Sequence, residues 1–274
     1  MVHPFAYDDV RYFRMARTIS GWGMYWTGVY FVDGLLIDSG PPNVRNEAER
    51  LFRDLRVRAC VTTHHHEDHS GNHALLVERF GIVPHAHWRG IPRLAAPAPL
   101  HMYRRLAWGK PLPATSQPLG DFIETESFRF NVIHTPGHAD DHVVLHERNR
   151  GWLFSGDLYL GSRLKLLRSD ENVYALMDSL RRVIALEPEV LFCQHRGRID
   201  KPVSPLQRKL DGLREIQDTV EHLHAKGLSE SEIARRLPGK DLSWRIWTAG
   251  HFSKRNFVRA FLTFRETRTT RRDT

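Results

Sequence analysis

The stretch VTTHHHEDHSGN, residues 61–72, places four histidines and two carboxylates in six consecutive positions. An apolar segment ending at Thr63 predicts a β-strand, and the extended chain beyond it carries His64 and His66 two residues apart. Both rings therefore point to the same side of the chain, whereas His65 points away. Imidazole is a preferred ligand of zinc and iron. The pattern predicts a metal site in preference to a solvated polar loop.

Two more candidate ligands follow in the same stretch. Asp68 and His69 come at the start of the next predicted helix, where they could face a second ion beside the first. His65 and Glu67 are interpreted as spacers between these ligands. One dense tract cannot supply a complete site, so the rest of the chain has to provide matching ligands.

Four further segments end a predicted buried strand with a polar side chain, and ligands converge at such ends in sheet proteins. In HTPGH the Pro-Gly pair forces a turn that presents His138, and in LFSGD the strand ends at Asp157. EVLFCQH ends in His195, and LLIDSG supplies Asp38. A strand-end acid beside a metal cluster commonly orients a ligand imidazole, which is the role expected of Asp38.

The number of candidate ligands favours two ions over one, because a single tetrahedral site needs three or four ligands. The candidates are His64, His66, Asp68, His69, His138, Asp157 and His195. Two ions about 3.5–4 Å apart could share Asp157 and a hydroxide whose pKa is lowered to about 7. Zinc is the first expectation for these two divalent ions, with iron or manganese as alternatives.

The ordered motifs THHHEDHSGN, HTPGHADDH and LFSGD, with Asp38 before them and His195 after them, resemble those of the metallo-β-lactamase superfamily. The resemblance covers about residues 15–200. It implies an α+β fold, the αββα four-layer sandwich, with the site at one edge of the two sheets. It also implies that His64, His66 and His138 bind one ion, that Asp68, His69 and His195 bind the other, and that Asp157 bridges them.

Within that family the chain is similar to the glyoxalase-II-like branch and to the mitochondrial beta-lactamase-like endoribonucleases, which carry a C-terminal helical region. It departs from the former because LYLGSRLKLLRSDENVY replaces the usual glycine- and arginine-rich segment after Gly-Asp. The last motif reads CQHRG where many relatives have GHG. The position of His195 is unaffected by this second departure.

Five residues in or near the motifs are assigned further roles. Asp68 and Asp157 are expected to handle protons, and Tyr159 to stabilise an oxyanion. His142 is predicted to support the site from behind the ligands, because the coordination set is already full. Arg196 is the candidate for pairing with an anionic substrate group.

The chain divides into a predicted catalytic domain, residues 1–204, and a basic helical region, residues 205–274. Residues 88–120, rich in proline and alanine, look like an insertion that covers the pocket, with one helix around 100–108. In the helical region, LSESEIARRLPG contains a capping box formed by Ser229 and Glu232. Elsewhere, Asp33-Gly34 is predicted to form a tight turn between two strands, Gly81 to end a short helix, and IVPHAHW to form a strand.

The net charge is +8, and 15 Lys and Arg against nine Asp and Glu place about +6 of it in residues 205–274. This excess permits RNA binding, although a solvated basic face or an arginine-rich tail explains it equally. Two cysteines are too few for a disulfide framework, and no apolar run could span a bilayer. We therefore expect a cytoplasmic protein without a membrane partner, and self-association as a homodimer stays open.

The leading prediction is a dinuclear hydrolase that uses a metal-bridging hydroxide on a thioester or ester. Its substrate is expected to be a small, anionic molecule, such as one carried on glutathione or coenzyme A. The alternatives are a single-stranded RNA endonuclease of the same fold and a mononuclear iron oxygenase acting on persulfides. A fourth, a DNA-binding regulator, rests only on the helix-turn-helix-like LSESEIARRL.

Overall fold

Two β-sheets face each other in the computed structural model, which describes the backbone of residues 1–19 and 22–270 and the side chains of residues 1–18 and 22–263. The strands of the larger sheet are β1 (Val2–Tyr7), β2 (Val10–Ile19), β3 (Trp22–Val32), β4 (Leu35–Ile37), β5 (Ala59–Val61), β6 (His85–Ala86) and β7 (Gln117–Pro118). They lie side by side in chain order, and the pairing changes from antiparallel to parallel at β4.

The second sheet has the order β14-β13-β11-β10-β9-β8. Its strands are β8 (Phe122–Glu124), β9 (Arg129–His134), β10 (Val143–Glu147), β11 (Trp152–Phe154), β13 (Val190–Cys193) and β14 (Gly197–Asp200). Two short strands, β12 (Leu167–Arg168) and β15 (Phe252–Ser253), pair separately.

The described residues form ten α-helices, most of which cover the outer faces of the two sheets. They are α1 (Arg45–Leu55), α2 (Glu67–Ser70), α3 (His73–Phe80), α4 (Ile91–Ala95), α5 (Met102–Ala107), α6 (Val173–Ile184), α7 (Val203–Ala225), α8 (Glu230–Arg236), α9 (Leu242–Trp247) and α10 (Lys254–Thr270). Of the helices described, none is long and apolar enough to cross a lipid bilayer.

Three buried apolar clusters hold the four layers together. Tyr30 and Ile37 of the first sheet pack with Phe130, Phe154 and Phe192 of the second. A second cluster joins the outer face of the first sheet to α1 and α3, and a third joins the outer face of the second sheet to α6, α7, α8 and α10. The layers are therefore helix, sheet, sheet and helix, as expected for an αββα sandwich.

Several local predictions are confirmed. Asp33 and Gly34 turn between β3 and β4 with φ values of 45° and 82°, and Gly81 ends α3 in a left-handed conformation. Ser229 and Glu232 form both hydrogen bonds of the capping box at α8. These outcomes depend on local backbone chemistry, which a sequence reveals directly.

Two predictions around the insertion need correction. The segment IVPHAHW forms a strand only at His85–Ala86, since Pro84 has no N–H to donate to a ladder. The 88–120 segment holds two helices instead of one, and its end supplies β7, which pairs with β6 at the sheet edge. The insertion is therefore attached to the sheet as well as lying over the surface.

The helical C-terminal region shares its core with the preceding part of the chain. Leu206, Leu213 and Phe257 belong to the same buried cluster as Leu153 and Leu180. The division at residue 204 remains a prediction about folding units, and the arginine-rich end, residues 271–274, lies outside the described residues.

Candidate metal centre

Strand register brings the predicted ligands to one edge of the two sheets. Parallel β4 and β5 place Ile37 beside Val61, so Asp38 meets the segment that begins the histidine tract. Parallel β11 and β13 place Phe154 beside Phe192, so the chain after each strand carries Asp157 and His195 to the same place. The turn between β9 and β10 carries His138 there from a third direction.

The first group of candidate ligands consists of three buried histidines. His64 Nε2 lies 2.8 Å from His66 Nδ1, and His138 Nε2 lies 3.1 Å from the same atom. His138 Nε2 also lies 3.2 Å from Asp157 Oδ2. The three ring nitrogens therefore converge on one point beside the Asp157 carboxylate.

The second group lies on the other side of that carboxylate. Asp157 Oδ1 is 3.3 Å from His69 Nε2 and 3.2 Å from His195 Nε2. Asp68 Oδ2 is 3.6 Å from His69 Nε2 and 3.4 Å from His195 Nε2. The structure thus brings together all seven predicted ligands and places Asp157 between the two groups.

Two observations indicate that these residues could bind divalent ions. Among the described residues, the buried atoms His69 Nε2 and Asp157 Oδ1 have no hydrogen-bond partner, although burying such atoms unsatisfied is costly. Ligands held about 2.0–2.1 Å from a tetrahedral zinc lie about 3.3 Å from one another. The separations of 3.2–3.6 Å around Asp157 Oδ1 and Asp68 Oδ2 match that spacing.

The ring nitrogens that face away from the cluster have partners of their own. His69 Nδ1 lies 2.8 Å from Asp38 Oδ2, which is the orienting role predicted for this acid. His138 Nδ1 lies 2.7 Å from Glu171 Oε1, and His195 Nδ1 lies 2.8 Å from the carbonyl oxygen of Trp26. Such partners fix the tautomer and the orientation of a ligand imidazole.

His142 supports Asp157 from behind. Its Nε2 accepts a hydrogen bond from the Asp157 backbone N–H at 3.0 Å, and its Nδ1 lies 2.8 Å from Thr135 Oγ1. Gly156, with a φ of 48°, allows this approach, since a Cβ there would lie 2.5 Å from His142 Nε2. His142 therefore lies behind the cluster, where the sequence placed it.

Burial and neighbouring charges set the protonation states of the cluster. Burial, followed by the nearby His69 and His138, keeps the pKa of His64 well below its ordinary value. Burial alone would raise the pKa of Asp157, but the surrounding His195, His69 and His138 lower it well below the usual range. Burial opposes the charge of His69 and His195, but the carboxylates of Asp157 and Asp68 raise the pKa of both imidazoles well above the ordinary value. Because a ligand imidazole must be neutral, metal binding would release protons from these two residues.

Arg168 is a site residue that the sequence analysis missed. Its buried guanidinium places Nη2 3.1 Å from His66 Nε2 and Nη1 3.5 Å from His138 Nε2. Asp170 accepts hydrogen bonds from Nε and Nη2 of Arg168 at 2.8 and 2.9 Å. Burial opposes the charge, but the carboxylates of Glu171 and Asp170 raise the pKa of Arg168, so it stays positive.

The Arg168 side chain is part of a chain of contacts that joins three separate regions. Asp170 Oδ1 lies 3.3 Å from His251 Nε2, and the Tyr103 hydroxyl lies 2.7 Å from His251 Nδ1. Tyr103 belongs to the insertion and His251 to the C-terminal region. The only signal of this arrangement in the sequence is the charged run RSDE after an apolar pair, which is too common to identify a site.

His65 and Glu67, which were interpreted as spacers in the histidine tract, have structural partners, and this corrects that interpretation. Glu67 is buried and accepts two hydrogen bonds from Arg104 of α5, at 2.7 and 2.6 Å. His65 points away from the cluster, as predicted, and its Nδ1 lies 2.8 Å from Asp141 Oδ1. Glu67 therefore anchors the insertion to the metal motif.

Among the described residues, the hydrogen bonds of Tyr159 and Arg196 do not join either side chain to the cluster. The Tyr159 hydroxyl lies 3.0 Å from Ser162 Oγ, and its ring is part of the apolar cluster beneath the second sheet. The oxyanion role of Tyr159 stays a prediction. Arg196 is exposed and donates from Nε to the Leu160 carbonyl oxygen at 2.9 Å.

Comparison with known proteins assigns the sandwich to a family. Residues 29–195 match the family described as the metallo-beta-lactamase superfamily. A solved beta-lactamase domain protein from Burkholderia ambifaria superposes with a TM-score of 0.71 at 19% identity, over 95% of this chain and 89% of that one. The superposition shows the fold, including the C-terminal helices.

Two curated proteins are similar in sequence. A beta-lactamase-like protein 2 homolog of Drosophila melanogaster is 37% identical over 132 residues, 47% of this chain and 44% of that protein. A hydroxyacylglutathione hydrolase of Aeromonas salmonicida (strain A449) is 35% identical over 145 residues, 52% of this chain and 49% of that protein. The chain thus matches about half the length of each of these relatives.

Proposed function

The chain belongs to the metallo-beta-lactamase superfamily, and we propose that it is a metal-dependent hydrolase that holds two divalent ions and hydrolyses a thioester or ester. Similarity to a protein named hydroxyacylglutathione hydrolase supports this substrate class, because an acylglutathione is a thioester. Zinc is the proposed metal, since imidazole and carboxylate form its common ligand sets.

One observation carries the dinuclear proposal, namely the position of Asp157 between two ligand groups. Its Oδ2 lies beside His138 of the first group, and its Oδ1 lies beside His69 and His195 of the second. A single carboxylate can therefore serve both groups with different oxygen atoms. Seven ligands around one ion would exceed the four of a structural zinc site.

The side chains of the centre divide the work of hydrolysis. Bound divalent ions would supply Lewis acidity and lower the pKa of coordinated water to about 7. Asp68 Oδ2, beside His69 and His195, is placed to accept the proton of the attacking water. Asp38 and Glu171 hold His69 and His138 in orientation, and Arg168 contributes positive charge beside His66.

A panel of substrates tests the proposed class directly. The protein is loaded with zinc, and hydrolysis of neutral and charged thioesters is compared with cleavage of a fluorogenic single-stranded RNA. We expect thioester turnover that is lost in His64→Ala and retained in His224→Ala, a control at an exposed histidine of α7. Salt-sensitive RNA cleavage without thioester turnover would replace this proposal with the nuclease alternative.

The iron alternative is separated by metal content. The protein is purified without added metal and analysed by mass spectrometry for bound zinc, manganese and iron. Two zinc or manganese ions per chain support the hydrolase. One iron per chain, with oxygen uptake on addition of a persulfide, would identify the oxygenase instead.

A further inference from the structure

A cavity of about 300 Å³ opens beside the metal centre, beneath the segment 91–114. Its floor includes His66 of the first ligand group and the neighbouring Glu67. Its side is completed by Asp170, which binds Arg168, and by His251, which contacts Asp170. The volume is at the lower end of the range for small-molecule pockets, so the cavity suits a small group attached to the reacting carbon.

Part of the wall contributed by the insertion is apolar. This apolar part includes Leu94, Pro97, Leu100, Leu112 and Ala114, and the same segment also contributes Arg93, His101 and Arg104 to the lining. Leu94 and Ala114 are buried and are joined by a backbone hydrogen bond of 3.0 Å, whereas Leu112 is 50% exposed. A bound apolar group would cover this exposed leucine, which is favourable in proportion to the apolar area removed from water.

The charged side chains that line the cavity are matched by opposite charges. Arg104 is bound by Glu67, Arg93 by Asp140, and Asp170 by Arg168. The insertion is held in place by the first two of these pairs. The other polar side chains of the lining are those of five histidines and Ser70, none of which is a fixed charge. A charged group entering the cavity would therefore have to compete with these ion pairs, which is costly.

We propose that this cavity holds the uncharged, apolar acyl chain of the substrate, with the carbonyl group at the His66 edge. The inference rests on the proposed hydrolysis of thioesters or esters and specifies the acyl half of the substrate. Any charge on a carrier thiol then lies on the leaving-group side, outside the cavity. The anionic character expected from the sequence is thereby confined to the leaving group.

A graded series of substrates tests the acyl pocket. Thioesters of N-acetylcysteamine with acyl chains of two, four, six and eight carbons are compared with the succinyl thioester, whose chain ends in a carboxylate. We expect kcat/KM to rise about fourfold for each added methylene until the cavity is full. The succinyl thioester should be at least about tenfold poorer than the butyryl thioester.

Two alanine-to-tryptophan variants locate the effect. Ala98 is exposed and lines the cavity, so Ala98→Trp should shift the preferred chain to shorter acyl groups while acetyl turnover is retained. Ala96 is also exposed but is not part of the lining, and Ala96→Trp should behave like the wild type. A profile independent of chain length, or an identical profile in both variants, would overturn the inference.

Binding of hexanamide, measured by calorimetry, separates failure of the pocket from failure of the proposed function. If no thioester is hydrolysed but hexanamide binds and Ala98→Trp removes binding, the pocket stands and the hydrolytic proposal fails. If thioesters are hydrolysed but hexanamide binds equally to the wild type and Ala98→Trp, the hydrolytic proposal stands and the pocket is wrong.

Discussion

Asp38 adopts a left-handed backbone conformation, with φ of 63°, where β4 ends. Its buried carboxylate accepts hydrogen bonds from the Thr63 backbone N–H at 2.7 Å and from the Thr62 hydroxyl at 3.1 Å. Its other oxygen lies 2.8 Å from His69 Nδ1. Left-handed conformations of residues other than glycine are costly, and they persist where surrounding contacts hold them.

Asp38→Asn should weaken the second metal group without unfolding the chain. The amide keeps the shape of the side chain but presents N–H donors to groups that themselves donate. We expect affinity for zinc to fall by about 10–100-fold, as for other residues that orient a ligand. Competition with a chromogenic chelator measures this affinity, and unchanged affinity for both ions would refute the orienting role.

Arg168→Gln should reduce turnover while metal content stays the same. The variant removes a positive charge 3.1 Å from His66 Nε2, and loss of one such electrostatic group costs about 100-fold in kcat. Arg168→Lys should recover part of this loss, since it keeps the charge but not the paired contacts with Asp170. Arg163→Gln, an exposed change in the same loop, is the control. Full activity of Arg168→Gln, or loss of metal from it, would contradict this role.

At the scale of residues, the sequence identified the cluster and the supporting Asp38 and His142, but not the partners of His138 and His195. His64, His66 and Asp157 stand in motifs whose spacing and strand-end position predict ligands. Arg168 ends the two-residue strand β12 and Glu171 lies between β12 and α6, so no periodic pattern in the sequence places them beside His138. The Trp26 contact with His195 uses a backbone carbonyl, which has no signature in a sequence.

The turn between β9 and β10 shows how an element positions a ligand. Gly137 has a φ of 143°, and a Cβ at this position would lie 2.5 Å from the backbone nitrogen of Leu176 in α6. The turn can therefore sit directly on α6 and present His138 only because residue 137 is glycine. In contrast, nothing lies within 4 Å of a Cβ added at Gly212, within α7.

Alanine at these two glycines should have opposite effects on stability. Gly137→Ala should lower the free energy of unfolding by about 2–4 kcal/mol, because it combines a strained conformation with a clash against backbone. Gly212→Ala should raise it by about 1 kcal/mol, because glycine is a poor residue for the interior of a helix. Urea unfolding of both variants checks the prediction, and destabilisation by Gly212→Ala would contradict it.

The elements were predictable where a local rule determines them. The Asp33-Gly34 hairpin and the capping box at Ser229 follow from turn and cap chemistry. The bounds of the short strand β6 and the existence of β7 could not be predicted in this way. Each pairs with strands distant in sequence, and those neighbours set its length. The insertion is held by Arg104 and Glu67, a contact between two segments whose proximity the sequence does not reveal.

Lys209 links the C-terminal region to the catalytic layers. Lys209 lies in α7, and its side chain is buried against the loop that carries Asp157. Its Nζ donates to the Leu158 carbonyl oxygen at 2.6 Å. Burial lowers the pKa of Lys209 to about 8, although Glu171 and Asp157 oppose the change. The helical region therefore meets the rest of the molecule through a buried amine as well as an apolar core.

Lys209 makes stability depend on pH. Because its pKa is lower in the folded chain than in the unfolded chain, the unfolded state binds more protons above pH 8. Its contribution to the free energy of unfolding consequently rises as the pH rises from about 8 to about 10.5. Lys209→Met should remove this rise and add about 2 kcal/mol of stability at pH 7.

Chemical unfolding at several pH values measures this effect, with Lys226→Met, an exposed lysine at the end of α7, as the control. A pH dependence that is the same in Lys209→Met and in the control would show that the buried amine does not cause it. The comparison uses differences between single variants, so titration of other groups cancels.

For the whole molecule, the proposed hydrolysis depends on two ions bound around Asp157. Metal-depleted protein is titrated with zinc while thioester hydrolysis and bound zinc are measured together. We predict that activity reaches its plateau at two zinc ions per chain, and that Asp157→Ala binds less zinc and loses turnover. A plateau at one ion per chain, or full activity of Asp157→Ala, would contradict hydrolysis by two ions.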